Sequence, residues 1–246
     1  MIKMNTHIVF NTVITSVITA SVIVLSGCGA VGVRQGTVAD NTAIESAFFT
    51  SMGSKIDRAT VSFHRAEDGS YRAVAPVKGT DTIVIYDAEK TSEVRKFGAS
   101  GLEKGQFGTP VDTESLDNLL FVLERSNHRI QVFHLPEMKS FGFFGEDRLT
   151  APARMALYRI ENGAYYLYVS DTIDRNGEST DYILRFSVSR GVNTIHGTYL
   201  KTFGYSPDSG YLNNVQSIDI DQAGKRVLVE TGGTSRAFSL EGDTVR

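Results

Sequence analysis

From Thr60 onward the apolar positions fall into short runs of four to seven residues, alternating with polar ones or wholly apolar, and each run stops at Gly, Asp, Asn or Pro. That pattern predicts β-strands joined by turns, with no amphipathic helix among them. The runs also repeat. Ile83-Val84-Ile85-Tyr86, Ile130-Gln131-Val132-Phe133, Ile183-Leu184-Arg185-Phe186 and, more weakly, Arg236-Ala237-Phe238 each end on an aromatic residue. The aromatics recur about every 50 residues. A Phe-Gly pair follows the first three, at Phe97-Gly98, Phe144-Gly145 and, after an insertion, Phe203-Gly204. An apolar strand precedes each aromatic, at Ala73–Ala75, Leu119–Leu123, Tyr165–Val169 and Val227–Val229.

A repeat of this length that holds about four strands predicts an all-β chain built as a β-propeller. Each blade is a twisted meander packed on both faces, so its middle strands read as nearly continuous apolar runs. Gly after Phe suits a tight exit from the outer strand, where φ is often positive. A β-sandwich is the competing architecture, and it does not require equivalent aromatics. Residues 59–246 hold four blades, and the last stops inside its outermost strand. A compact ring, an open arc and a shortened relative of a larger propeller all accommodate that count.

The first 27 residues read differently. Lys3 is their one charged side chain, and Ile8–Leu25 is mostly Val, Ile, Phe, Ala and Thr. A basic start and an apolar run predict an export signal. The run ends Leu25-Ser26-Gly27-Cys28, which resembles the bacterial lipobox. The resemblance implies cleavage before Cys28 and lipidation of its thiol with diacylglycerol and palmitate-type chains. The expected protein is exported to the cell envelope and anchored to a membrane by that lipid. An uncleaved transmembrane anchor is the alternative, weakened by Thr12, Thr15, Ser16 and Thr19. Residues 28–58 are rich in Gly, Ala, Ser, Thr and Asn and predict a tether, disordered or with one short helix.

Composition adds little about partners. The formal net charge is −3, and it moves by one unit if Lys3 is removed. No basic face predicts nucleic-acid binding. Cys28 is the one cysteine, so no internal disulfide is available and packing must hold the domain.

The stretch Phe121–Phe133, "FVLERSNHRIQVF", followed by "FGFFG", resembles an NHL-type propeller blade. Thr82–Leu240 is similar to the phytase-like propellers of secreted bacterial proteins. Lys78-Gly79, Glu124-Arg125, Ala156–Asp171 and Val215–Glu230 carry that resemblance. It implies a calcium-dependent hydrolase of phosphate monoesters such as phytate. Lys78 and Arg125 take the places of the phosphate-binding cations, and Glu124, Asp171 and Glu230 those of the calcium-binding acids. Calcium needs six to eight oxygen ligands, so several carboxylates must converge. After Glu230 the sequence gives Thr231-Gly232-Gly233 with no further acid, and that cluster is thin.

Each of these residues also has a plainer reading. Lys78 suits an ordinary turn, Glu124 and Arg125 a local ion pair, and Asp171 a turn cap. Asp171–Glu178 suits a solvated insertion, since its spacing does not fit an EF-hand. Two functions remain open. One is the phosphohydrolase. The other is a non-catalytic NHL-type platform that binds a phosphorylated small molecule or an envelope protein, peptide or glycan.

Overall fold

A computed structural model describes residues 38–160, 164–175, 178–205 and 210–245. The signal segment and Cys28 lie outside the described residues. Those described form four antiparallel sheets of four strands each, in simple sequential order. The first holds β1 (Ser62–Arg65), β2 (Tyr71–Pro76), β3 (Ile83–Asp87) and β4 (Ser92–Phe97). The second holds β5 (Pro110–Leu116), β6 (Leu119–Glu124), β7 (Arg129–His134) and β8 (Lys139–Phe144). The third holds β9 (Pro152–Arg159), β10 (Tyr165–Arg175), β11 (Glu178–Arg190) and β12 (Ile195–Phe203). The fourth holds β13 (Ser217–Asp221), β14 (Arg226–Thr231), β15 (Thr234–Ser239) and the short β16 (Thr244–Val245).

These are the four blades of a propeller. The first strands lie side by side along the inner wall, β1 on β5, β5 on β9 and β9 on β13. The packing stops there, so the described blades form an open arc. Tyr86, Phe133, Phe186 and Phe238 occupy the third strand of successive blades, opposite Glu93, Ser140, Tyr199 and Thr244. In the first three blades the register shifts immediately before the aromatic. Such a bulge adds local twist. Gly98, Gly145 and Gly204 have φ of 106°, 99° and 128°. A Cβ on Gly98 would also stand 2.5 Å from the Phe107 ring.

The seams are apolar. Val74, Ile83 and Ile85 meet Leu120, Val122 and Phe133 between blades 1 and 2. Phe121, Leu123 and Ile130 meet Leu167, Val169 and Leu184 between blades 2 and 3. Tyr168, Ile183 and Phe203 meet Val227, Val229 and Phe238 between blades 3 and 4. One aspartate also crosses each seam. Asp81 accepts from the Thr109 N–H (2.8 Å), Asp112 from Met155 N–H (2.7 Å) and Asp181 from Val215 N–H (2.8 Å). Each side-chain carboxyl group thus binds the backbone of the next blade.

The two end blades differ. The outer face of blade 1 is covered by α1 (Val38–Met52), part of the expected tether at 28–58. A helix is one of the two forms expected for that stretch, and α1 packs against the sheet. Ile44, Phe48 and Met52, four residues apart, make an apolar stripe that joins Tyr71, Ala73 and Tyr86. Phe48 is fully buried, edge-on to Phe63 at 5.6 Å and to Tyr86 at 5.7 Å. The aromatic residues of blade 1 would otherwise face water, and that burial orders the helix. The outer face of blade 4 is polar instead. Arg226, Leu228 and Glu230 are exposed on β14 between buried Val227, Val229 and Thr231. In blade 2 all of β6 is buried.

Candidate functional site

The five residues assigned to chemistry lie on or just after the second strand of a blade, one strand outward from the inner wall. Lys78 is exposed in the turn after β2, where Thr80 N–H donates to Val77 O. Glu124 closes β6, and Arg125 follows it. Asp171 lies on β10 and Glu230 on β14. Counted from the third-strand aromatic, two of these positions correspond, Glu124 and Asp171, and the matching residue of blade 4 is Thr231, one beyond Glu230. Glu124 sits opposite Pro110 at the start of β5, Asp171 opposite Pro152 at the start of β9, and Glu230 opposite Ser217 at the start of β13.

Glu124 is completely buried and saturated with donors. One oxygen accepts from Arg129 Nε (2.8 Å) and Gln131 Nε2 (3.1 Å). The other accepts from Gly108 N–H (2.9 Å) and Asn127 Nδ2 (2.6 Å). The expected Glu124–Arg125 pair does not form; Arg129 is the partner. Residues 124 and 129 face each other across the β6–β7 hairpin. Arg129 in turn donates to Leu102 O (2.6 Å) and Gln106 O (3.1 Å) and lies over the Phe143 ring. The network ties the loop before β5 to blade 2.

Asp171 does the same work in blade 3 with fewer partners. It is buried and accepts from Ala151 N–H (2.6 Å) and Thr150 N–H (2.9 Å). Burial pushes its carboxyl above the usual range, against the pull of those two donors. This is the cap of the plainer reading. Beyond it, Thr172 to Arg175 pair with Glu178 to Asp181 and extend the hairpin, so the expected loop is largely strand. Glu230 is exposed and accepts from Ser235 Oγ. The calcium cluster implied by the resemblance does not fit these side chains. Glu124 and Asp171 are occupied in separate blades, and the described residues hold no group of three or more His, Cys, Asp or Glu that could bind a metal.

Arg125 does line a site. A polar hollow of about 380 Å³ opens between blades 2, 3 and 4, walled by Arg125, Arg154, Ser170, Thr172, Ser179, Asn213 and Asn214. Arg125 is exposed, and among the described residues it gives one hydrogen bond, from Nε to Pro152 O (3.1 Å). Its two terminal nitrogens remain for a ligand. Arg154 is more committed: Nε donates to Gln216 O (2.7 Å), and a terminal nitrogen meets Asp57 Oδ2 at 3.2 Å. Asp181, on the same wall, already accepts from Thr172 Oγ1 (2.6 Å) and Val215 N–H. The hollow therefore presents hydroxyls, amides and one uncommitted guanidinium. Convergent polar groups of this kind orient a bound molecule.

Sequence reasoning found Arg125 and missed Arg154, Asn213 and Asn214, which reach the hollow from other blades. Lys78 lies outside it. A second hollow of about 380 Å³ lies at the seam of blades 1 and 2, with Ile85, Val94, Leu135 and Met138 in its wall. Its His64 is held neutral, with a pKa lowered to about 4 by burial and then by Arg72. Glu67, Asp68, Arg72, Arg95 and Asn118 also line it, but Arg72 is paired with Asp68 and Asp87, so the hollow beside Arg125 is the better site for an anion.

No protein-family model matches the chain, and no curated protein matches it either. Among solved structures, one in a crystal structure of a nidogen/laminin complex is similar at 14% identity and a TM-score of 0.47, over 75% of this chain and 61% of that one. Another is a putative oxidoreductase described as a glucose dehydrogenase, from a Thermus species. It is similar at 15% identity and a TM-score of 0.38, over 56% of this chain and 45% of that one. The chain thus spans less than two thirds of either. The propeller assignment rests on the four successive four-stranded sheets.

Proposed function

We propose that this chain is a non-catalytic propeller that binds a small anionic group in the hollow beside Arg125, held at a membrane by lipid on Cys28. The observation that carries the binding reading is the guanidinium of Arg125. It stands exposed in a polar hollow with its terminal nitrogens uncommitted. Such a fork matches a carboxylate or phosphate in bidentate fashion. Ser179, Asn213 and Asn214 supply neutral hydrogen-bonding groups around it. The phosphohydrolase reading has less support, because Glu124 and Asp171 spend their oxygens on the backbone and side chains that shape their own blades.

Titration with inorganic phosphate and with acetate tests the reading. The natural protein binds one or both, and Arg125→Ala weakens that binding by at least about tenfold, in line with the loss of a charged hydrogen bond. Phytate incubated with the protein releases no phosphate, with or without millimolar Ca²⁺. Calcium-dependent release abolished by Lys78→Ala and Arg125→Ala would replace the platform with the hydrolase. For the anchor, Cys28→Ser is expected to release the protein from the membrane fraction or block its processing. A normally processed, membrane-bound variant would refute lipidation.

A further inference from the structure

The hollow at the seam of blades 1 and 2 lies away from Arg125. Its wall includes the β1–β2 turn, Asn118 between β5 and β6, and Pro136 and Met138 between β7 and β8. Arg125 follows β6, so the two hollows open at opposite ends of the blades. Blade 1 contributes one face to the seam hollow: His64 pairs with Arg72, and Ile85 with Arg95, across its strands. The floor is apolar, since Ile85, Leu135 and Met138 are buried. Val94 adds apolar surface that is 51% exposed. His64 stands apart from this lining. Its Nδ1 is buried with no hydrogen-bond partner among the described residues. A buried polar atom left unpaired is costly, and folded proteins rarely leave one. No hydrogen bond to a described residue holds the ring, so a half-turn that brings Nδ1 to the hollow breaks none.

We infer that this seam hollow binds an uncharged, hydroxylated bicyclic aromatic molecule, with its rings on Ile85, Leu135 and Met138 and its hydroxyl on His64. It is a second site, independent of the reading of Arg125. A hydroxyl both donates and accepts, so it satisfies a neutral imidazole in either tautomer. The imidazole is neutral near pH 7, because burial and then Arg72 lower its pKa to about 4. The charged groups of the wall balance, Arg72 and Arg95 against Glu67 and Asp68, so neither sign of ligand charge is favoured. An aromatic body gains more here than an aliphatic one. The Met138 thioether packs well against an aromatic ring, and a guanidinium is drawn to a ring face. Arg95 already lies over Phe97, 5.6 Å from its centroid. Size sets the number of rings. A cavity of about 150 Å³ takes benzene, and this hollow holds about 380 Å³.

The chain contains no Trp, so the emission of 2-naphthol, to the red of tyrosine, is read without interference. Titration of the full protein into 2-naphthol raises its fluorescence anisotropy to a plateau. Naphthalene, decahydro-2-naphthol and 2-naphthoate each displace it less well than unlabelled competition by 2-naphthol itself, naphthalene by about tenfold for want of one hydrogen bond. His64→Phe keeps a ring and removes its nitrogens, so 2-naphthol binding falls about tenfold, to the level of naphthalene. Val94→Asp, an exposed change, puts a charge against the apolar floor and weakens 2-naphthol and naphthalene alike. Arg125→Ala changes neither. Circular dichroism checks that each variant is folded. The inference is overturned if the folded natural protein gives no plateau, or if naphthalene or 2-naphthoate binds as tightly as 2-naphthol. It is also overturned if neither His64→Phe nor Val94→Asp weakens binding, or if Arg125→Ala abolishes it, since the ligand then lies at the other end of the blades.

Discussion

Glu124 and Glu230 stand near the ends of the second strands of blades 2 and 4, one position apart in register and so on opposite faces, and they lead opposite lives. Glu124 is buried among four donors, one of them the guanidinium of Arg129. Glu230 lies in water on the outer face of the last blade. Asp171 in blade 3 stands between them, buried with two backbone donors and no cation within its hydrogen bonds. A carboxylate near this strand end acquires its role from the face it occupies and from what packs there. In blade 2 neighbours on both faces exclude water, so the charge must be fully compensated. In blade 4 one face is open, and solvent does that work.

This gradient can be broken at its steepest point first. Glu124→Ala leaves Arg129 buried without its counterion, and removal of one partner of a buried pair costs about 3–5 kcal/mol. Urea denaturation is expected to show a loss of that order. The double variant Glu124→Leu/Arg129→Met is expected to recover part of it, because a paired apolar replacement leaves no orphaned charge. A double variant as unstable as the single would show that the hydrogen bonds to Gly108 and Asn127 matter more than the charge pair. Asp171→Ala comes next, at about 1–3 kcal/mol for two buried N–H groups left without an acceptor.

A pH-dependent effect follows from Asp112, whose carboxyl burial pushes up to about 8 against the Met155 N–H. The unfolded chain loses this proton near the ordinary Asp value of about 4, whereas the folded one keeps it. Its contribution is complete below about pH 4 and is lost as pH rises through about 8, so stability falls across that window. Glu114 is raised well above its usual range by burial and by Asp112 and Asp219, and it acts in the same sense. Asp112→Asn is expected to flatten the decline in thermal midpoints measured between those limits. An unchanged slope would mean that Asp112 is ionised in the folded protein. The smallest effect belongs to Glu230→Gln, an exposed change expected to stay within about 0.5 kcal/mol. A larger loss would place Glu230 in a buried contact and erase the contrast.

The equivalence of Tyr86, Phe133, Phe186 and Phe238 was legible because blades repeat and each needs an aromatic in its third strand. The partner of Glu124 was not. Adjacent Arg125 invites pairing on the page, yet the β6–β7 hairpin sets residue 124 opposite 129, and cross-strand neighbours share a face. Asn127, Arg129 and Gln131, from the stretch that resembles an NHL blade, turn out to hold the blade together through Glu124. The motif therefore speaks to architecture before activity. Phe48 escaped notice because the stripe Ile44, Phe48 and Met52 is interrupted by Ser, Thr and Glu, and its burial depends on a sheet that follows it in sequence. Arg154 and Asn213 reach the hollow through the curvature of the arc, which no local pattern encodes.

The aspartates that cross the three seams give the molecule an order of failure. Each links one blade to the backbone of the next, so interactions run between nearest neighbours, as in a linear array of coupled units. An interior unit in such an array is held from both sides and an end unit from one. At one end α1 supplies the missing neighbour; at the other, nothing among the described residues covers the polar face. Unzipping should therefore begin at blade 4 and travel backwards, with Asp181 as the first latch to open. Amide exchange would record this as protection that rises from β15 through β11 to β7.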